Sequence, residues 1–298
     1  MTPSRYNARA MRLYALDGYP QWTGLEDPVH KITRIRRLQA ELRVKSDGMI
    51  GPRTTRAIGI EDYKRIMDGG AQGAIILGAK AYPVHRRVRQ FVDRNLRDDL
   101  TGISRRVRAH QLVLHHSATY DNDSTYRVLL RKGISTHFAI QWDGALDQYL
   151  DPVTTYAFHV GGVDAWDEDG DRISGNPHSV GFDFSSNAIP DLQNRHVSQW
   201  QEPRPYLEEA RAHGSIVRYK KLPGGLGYSD AEKQGAREVC AIICQAMGIE
   251  YQWPGTKMEV IDDPLGFKGI VMHGQLTRRK SDPIALDMDE VFGEAGCV

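Results

Sequence analysis

The chain has 298 residues, 40% hydrophobic and 26% charged, enough to bury one large core or two ordinary ones and too apolar to be disordered throughout. Its 39 Lys and Arg against 38 Asp and Glu leave a net charge of +1, which excludes a bulk field that would recruit nucleic acid. Three cysteines (Cys240, Cys244 and Cys297) build no disulfide framework, the first 30 residues hold no apolar run of signal-peptide length, and no stretch approaches the roughly 20 apolar residues of a membrane span. Synthesis in a reducing cytosol without an integral membrane segment is the expectation.

From the N-terminus, Ile32, Ile35, Leu38 and Leu42 recur at helical spacing in ITRIRRLQAELRV. Asp47-Gly48 supplies a turn, and Gly51 with Pro52 opens a second helix. IEDYKRIMDGG reads as a third helix, stopped by Gly69 and Gly70. This makes residues 1–70 a small three-helix domain. Residues 71–105 read as a linker with an amphipathic basic helix, because Val84, Val88, Phe91, Val92 and Leu96 share one helical stripe. Between Tyr82 and His110 stand eight arginines (86, 87, 89, 94, 97, 105, 106 and 108) against three aspartates, a solvated helix face or, alternatively, a patch for an anionic envelope surface.

Residues 106–298 change texture to alternating strands and helices, a mixed α/β domain with a central sheet flanked by helices. QLVLH (111–115), SVGFDF (179–184) and KGIVMH (268–273) read as strands, and 123–133 and 229–248 as helices, the latter opened by a Ser229-to-Glu232 capping box. Asp143-Gly144 between two alternating runs marks a hairpin. Residues 160–178 and 186–228 read as long surface loops. DAWDEDGDR (164–172) lacks the Asp and Glu positions of a calcium loop and reads as an acidic surface loop. Cys240 and Cys244 lie one helical turn apart on an apolar face, as core residues do.

The chemistry concentrates in two segments far apart in the chain, LVLHHSAT (112–119) and MHGQLTRRKSDP (272–283). Zn²⁺ takes imidazole nitrogen and carboxylate oxygen, and catalytic sites keep three protein ligands with one open position. His115, His273 and Asp282 satisfy that count. If strand alternation persists to its end, His115 and His116 point to opposite faces, so only one reaches the ion.

LVLHHSAT, STHFAIQWDG, YAFHVGG, SVGFDF and HGQLTRRKSDP resemble, in order and approximate spacing, the zinc-dependent type 2 N-acetylmuramoyl-L-alanine amidases, a class that includes phage endolysins and peptidoglycan-recognition proteins. IRRLQAELRVKSDGMIGPRTTRAI separately resembles the three-helix peptidoglycan-binding module. The first resemblance covers about residues 110–290, the second about 32–68. Together they imply a peptidoglycan hydrolase that cleaves the amide between N-acetylmuramic acid and L-alanine, with Zn²⁺ held by His115, His273 and Asp282 and His116 set behind them. Asp183 stands where a subset of the family has a glutamate that takes the proton from water, and Lys280 where a lysine supports the oxyanion. Thr136 replaces a tyrosine that assists catalysis in phage-type members; its hydroxyl is a weaker acid of shorter reach, which shifts weight onto Asp183 and Lys280. His159 is expected to line the cleft and touch the reaction centre, and His137 also matches a family position.

With no export signal, the same resemblance implies a phage endolysin held in the host cytoplasm until release onto periplasmic or cell-wall peptidoglycan, and a monomer is the expectation. Two other functions share these features: a non-catalytic peptidoglycan receptor of the same fold, disfavoured by the complete ligand set, and a zinc endopeptidase of the stem peptide, disfavoured because its SxHxxGxAxD motif is absent.

Overall fold

Pro3 in the first turn, and the Thr2 hydroxyl accepting from the Arg5 amide, start a helix that the sequence reading does not anticipate, α1 (Pro3–Tyr14). It is followed by α2 (Ile32–Glu41) and α3 (Pro52–Asp68). The two helices expected after Pro52 are therefore one. The only breaker inside α3 is Gly59, and it is there for packing, since a Cβ would come within 2.3 Å of the Gly78 carbonyl oxygen. Leu25, Ile35, Leu38, Ile50 and Ile58 form a small core of their own, and Gln39, fully buried, bonds Asp47, Gly48, Met49 and Thr54 around the Asp47-Gly48 turn. The computed structural model describes residues 2–16, 18–25, 32–92, 100, 102–105, 107–119, 121–185, 203–204, 225–226, 228–256, 259–280, 282–283 and 286–293. Cys297, and most of the expected loop at 186–228, lie outside them.

The expected linker helix is not formed over its described part. Residues 71–92 contain β1 (Gly73–Leu77), β2 (Lys80–Val84) and β3 (Val88–Gln90) instead. β1 and β2 pair antiparallel, and β1 is buried on both faces. Ala74 and Ile76 pack with Ile60, Tyr63, Ile66 and Met67 of α3, whereas Ile75 and Leu77 join the main core. The Gln148 side-chain amide then closes the edge of the hairpin, donating to the Ile76 carbonyl (2.6 Å) and accepting from its N–H (2.7 Å). Gln90 adds bonds to the Ala74 carbonyl and to Gln148. Arg86 and Arg89 of this segment pair with Glu238 and Asp147, and Arg105 is buried, so these three arginines are not a free basic face.

The larger unit continues through β4 (Gly102–Ser104), β5 (Gln111–His116), α4 (Asn122–Lys132), β6 (Phe138–Gln141), β7 (Leu146–Gln148), β8 (Thr155–Ala157), β9 (Gly162–Trp166), β10 (Arg172–Ser174) and β11 (Ser179–Ser185). The two-residue strands β12 (Pro203–Arg204) and β13 (Gly225–Leu226) precede α5 (Asp230–Met247), β14 (Gly269–Met272), α6 (His273–Leu276) and α7 (Met288–Phe292). Six strands form a mixed sheet in the order β14-β5-β11-β6-β7-β3. β14, β5, β11 and β6 run parallel, and the near-continuous apolar runs of β5, β11 and β14 are those of strands buried on both faces. Leu112, Leu114, Phe182 and Met272 pack against α5, where Cys240 and Cys244 lie in the core as expected, while Val113 and Val271 pack with Val160, Val163 and Leu276 on the other face. The Ser229–Glu232 capping box opens α5, and Gly144, at φ 79°, makes the expected hairpin turn.

Because the main core runs from Ala10 and Tyr14 through Ile75 into the sheet, the helical unit and the sheet unit are joined by a two-sided hairpin. Gln148→Leu is expected to leave the Ile76 backbone groups buried and unpaired, lowering the free energy of denaturant unfolding by about 2–4 kcal/mol; an unchanged midpoint would contradict this account of the junction.

Candidate active site

Parallel pairing puts Asp183 of β11 level with His115 of β5. Residues of one parity face α5 and the other parity faces away, so His115, Asp183 and, just past β14, His273 project on the side opposite the main core. His273 opens the one-turn helix α6, braced by Gln275, whose Oε1 accepts from the Met272 N–H and whose amide donates to the Gly255 carbonyl. The chain then returns: the Gly274 N–H donates to the Asp282 carbonyl at 3.0 Å, which carries the Asp282 carboxylate back over His273.

One ligand atom each from His115, His273 and Asp282 lies within 4.8 Å of the others. Asp282 Oδ2 stands 3.0 Å from His115 Nδ1 and 3.2 Å from His273 Nδ1. The outer nitrogens are engaged: His273 Nε2 lies 3.1 Å from the Val160 carbonyl oxygen, and His115 Nε2 lies 2.9 Å from His159 Nδ1. A carbonyl only accepts, so His273 donates to it from Nε2 and turns Nδ1 inward toward Asp282. Burial, with the His273 ring adding to it, pushes His115 down to about 4, so this ring is neutral at pH 7. Burial disfavours the charged form of Asp282, but the His273 and His115 rings hold its carboxyl well below the usual carboxylate range. Two imidazole nitrogens and a carboxylate oxygen turned toward one small space fit a divalent cation, and the donor set suits zinc.

Asp183 and Lys280 line the same cleft, with His116, Lys132 and Arg279 also on its wall. Burial pushes the Asp183 carboxyl up to about 7. Lys280 is exposed at the rim. Of the other expected residues, His159 lines the cleft, whereas Thr136 and His137 do not. Thr136 is fully buried and does not line the cleft, but its hydroxyl stands close enough to Asp183 to favour the ionised carboxylate, opposing the effect of burial. His137 accepts from the Gly181 N–H at Nδ1 and bonds the Thr155 carbonyl through Nε2. His159 lies at the cleft wall but has both ring nitrogens occupied, one by His115 and one by the Ser179 hydroxyl at 3.1 Å. It stands directly behind His115.

Sequence reasoning missed two residues. The supposed acidic loop at 164–172 is the hairpin β9–β10, and its Asp164, nearly buried, accepts from the Thr277 hydroxyl (3.1 Å) and the Arg278 N–H (2.8 Å) and pairs with Arg172. It thereby pins the segment that carries Lys280 and Asp282. Asn176 Oδ1 accepts from three successive amides, those of His159 (3.0 Å), Val160 (2.8 Å) and Gly161 (3.3 Å). A run of N–H groups around a side-chain oxygen leaves no signature in one sequence.

Residues 105–285, more than half of the chain, match the Amidase_2 family, N-acetylmuramoyl-L-alanine amidase. The chain belongs to this family. Among solved structures it is similar to the endolysin of Thermus scotoductus bacteriophage Ph2119 (16% identity over 69% of this chain and 96% of that one, TM-score 0.38). It is similar too to AmpDh3 of Pseudomonas aeruginosa (17%, 64% and 60%, TM-score 0.36) and to AmiD of E. coli (17%, 64% and 56%, TM-score 0.34). These likenesses add nothing to the family assignment, which rests on the sequence match. No curated protein matches the chain.

Asp164→Ala is expected to release the 277–282 segment, weakening metal binding about tenfold or more and costing about 1–3 kcal/mol of stability. Chelator competition and a denaturant melt read the two effects; full metal affinity in this variant would show that Asp164 does not hold the segment.

Proposed function

We propose that this amidase-family chain is a zinc-dependent N-acetylmuramoyl-L-alanine amidase, a phage endolysin that degrades bacterial peptidoglycan. The observation that carries the reading is the convergence of His115 Nδ1, His273 Nδ1 and an Asp282 oxygen beside the raised carboxyl of Asp183. These three residues would hold the ion, which supplies Lewis acidity, polarising the scissile carbonyl and acidifying water. Asp183 is the group that takes the proton from the attacking water and returns it to the leaving nitrogen. The C–N bond breaks, leaving a carboxylate on the lactyl side and a free amine on L-alanine. The Lys280 ammonium faces the same cleft and balances negative charge as the carbonyl oxygen becomes an oxyanion.

The N-terminal helical unit, with its LQ, DG and GP signature, is proposed to hold the chain on the polymer. The endolysin role and storage in the host cytoplasm are supported by that pairing of unit and family, and by two buried free thiols, Cys240 and Cys244, that suit a reducing compartment. No helix of the described residues is long and apolar enough to cross a membrane.

Metal analysis combined with product identification on purified sacculi tests the reading. One zinc per chain and a new L-alanine amine are expected, and His273→Ala or Asp282→Ala should lose both zinc and activity while still pelleting with sacculi. A different new amine would indicate an endopeptidase, and binding without any new end would indicate a receptor.

Asp183 must be ionised to accept a proton, so kcat/KM is expected to fall as pH drops below about 7, the value to which burial raises its carboxyl. Asp183→Asn should reduce kcat by about 10²–10⁴-fold at unchanged zinc content. A near-normal kcat in this variant would remove Asp183 from the mechanism.

A further inference from the structure

The two imidazole ligands are served by one short segment. Val160 offers its carbonyl to His273 Nε2, and the residue before it, His159, offers Nδ1 to His115 Nε2. For His273 the proton's place follows at once from the carbonyl. For His115 it depends on two further groups. Ser179 Oγ lies 2.8 Å from the Gly175 carbonyl and 3.1 Å from His159 Nε2, and it has one proton. A carbonyl cannot donate, so the hydroxyl gives its proton to Gly175 and accepts from His159 Nε2–H. With that proton on Nε2, His159 Nδ1 is an acceptor, and His115 must donate to it from Nε2. His115 Nδ1 is thereby left as a lone pair facing Asp282 and His273 Nδ1.

Two further contacts keep this segment in place. Asn176 gathers the amides of residues 159, 160 and 161 on one oxygen, and the Gly175 N–H donates to the Gly161 carbonyl at 2.8 Å. Gly181 makes room for the ring: a Cβ there would stand 2.8 Å from the His159 imidazole.

We infer that His159 is a positioning residue for the metal centre, fixing through the Ser179 hydroxyl and the Gly175 carbonyl which nitrogen of His115 keeps its proton, while the adjoining Val160 carbonyl does the same for His273. The inference rests on the reading of His115 and His273 as ligands. It assigns His159 no contact with substrate.

Zinc affinity of the full-length chain, measured by competition with a chromophoric chelator, tests it in His159→Ala, His159→Asn, His159→Gln and His115→Ala. The asparagine oxygen takes the place of Nδ1 and can accept from His115, whereas the glutamine oxygen falls near Nε2. His159→Ala and His159→Gln are expected to weaken zinc about 10–100-fold, and His159→Asn to restore it to within a few-fold of the parent. The cobalt-substituted absorption spectrum should shift in the alanine variant and return in the asparagine one. Parental affinity in His159→Ala, or rescue by glutamine as complete as by asparagine, would overturn the inference, since ring packing alone predicts no such order. Zinc retained by His115→Ala would overturn the ligand reading itself; zinc lost there but retained in His159→Ala would overturn this inference alone.

Discussion

Parallel pairing of β5 with β11 on one side and β14 on the other is the constraint from which the site follows. Register sets Asp183 beside His115, and alternation sends both, together with His273, to the face away from α5. A strand buried on both faces cannot slip by one residue without exchanging its core and site faces. The sheet therefore specifies the positions of two candidate ligands and a candidate base with the same apolar contacts that stabilise it. Only Asp282 comes from a loop, and its place depends on hydrogen bonds, from Gly274 to its carbonyl and from Thr277 and Arg278 to Asp164.

The electrostatics of the cleft follow from that placement. Burial makes His115 hard to protonate and Asp183 hard to ionise, moving the two in opposite directions. A cation among the inner atoms would take the place that a proton between Asp282 and the imidazoles otherwise fills. The outer shell is arranged to the same end. His273 and His115 each have an acceptor behind them, one a backbone carbonyl and the other an imidazole that itself leans on a hydroxyl.

What was legible in the sequence was what local chemistry decides. QLVLHH, SVGFDFS and GIVM are apolar runs too short for helices, Asp143-Gly144 turns a hairpin, and Ser229 with Glu232 caps a helix. That His115, His273 and Asp282 converge was legible because their residue types are few and their motifs ordered. The segment after Tyr82 was misread because Val84, Val88, Phe91 and Val92 fit a helical stripe as well as strands; partners far away decide, β2 pairing with β1 and β3 with β7. Asp164, Asn176 and Gln148 were illegible for a related reason. Each acts by hydrogen bonds across the fold, Gln148 to a residue 72 positions away and Asp164 to one 114 away, and a lone polar side chain carries no mark of that.

The hairpin that replaced the expected linker changes how an anchoring unit can work. A flexible tether lets a catalytic unit search a volume set by linker length, and its gain is an effective concentration. Here β1 is buried against α3 on one face and against the main core on the other, Arg56 donates to the Thr155 hydroxyl, and the Tyr14 hydroxyl donates to the Arg105 carbonyl. Arg105 in turn holds the Ser179 carbonyl, at the head of the strand that carries Asp183. An attachment made by the helical unit would therefore fix the orientation of the cleft along with its distance from the polymer. Such an arrangement trades search volume for alignment, and it couples the first helix to the β11 strand through the contacts of Tyr14 with Arg105 and of Arg105 with Ser179.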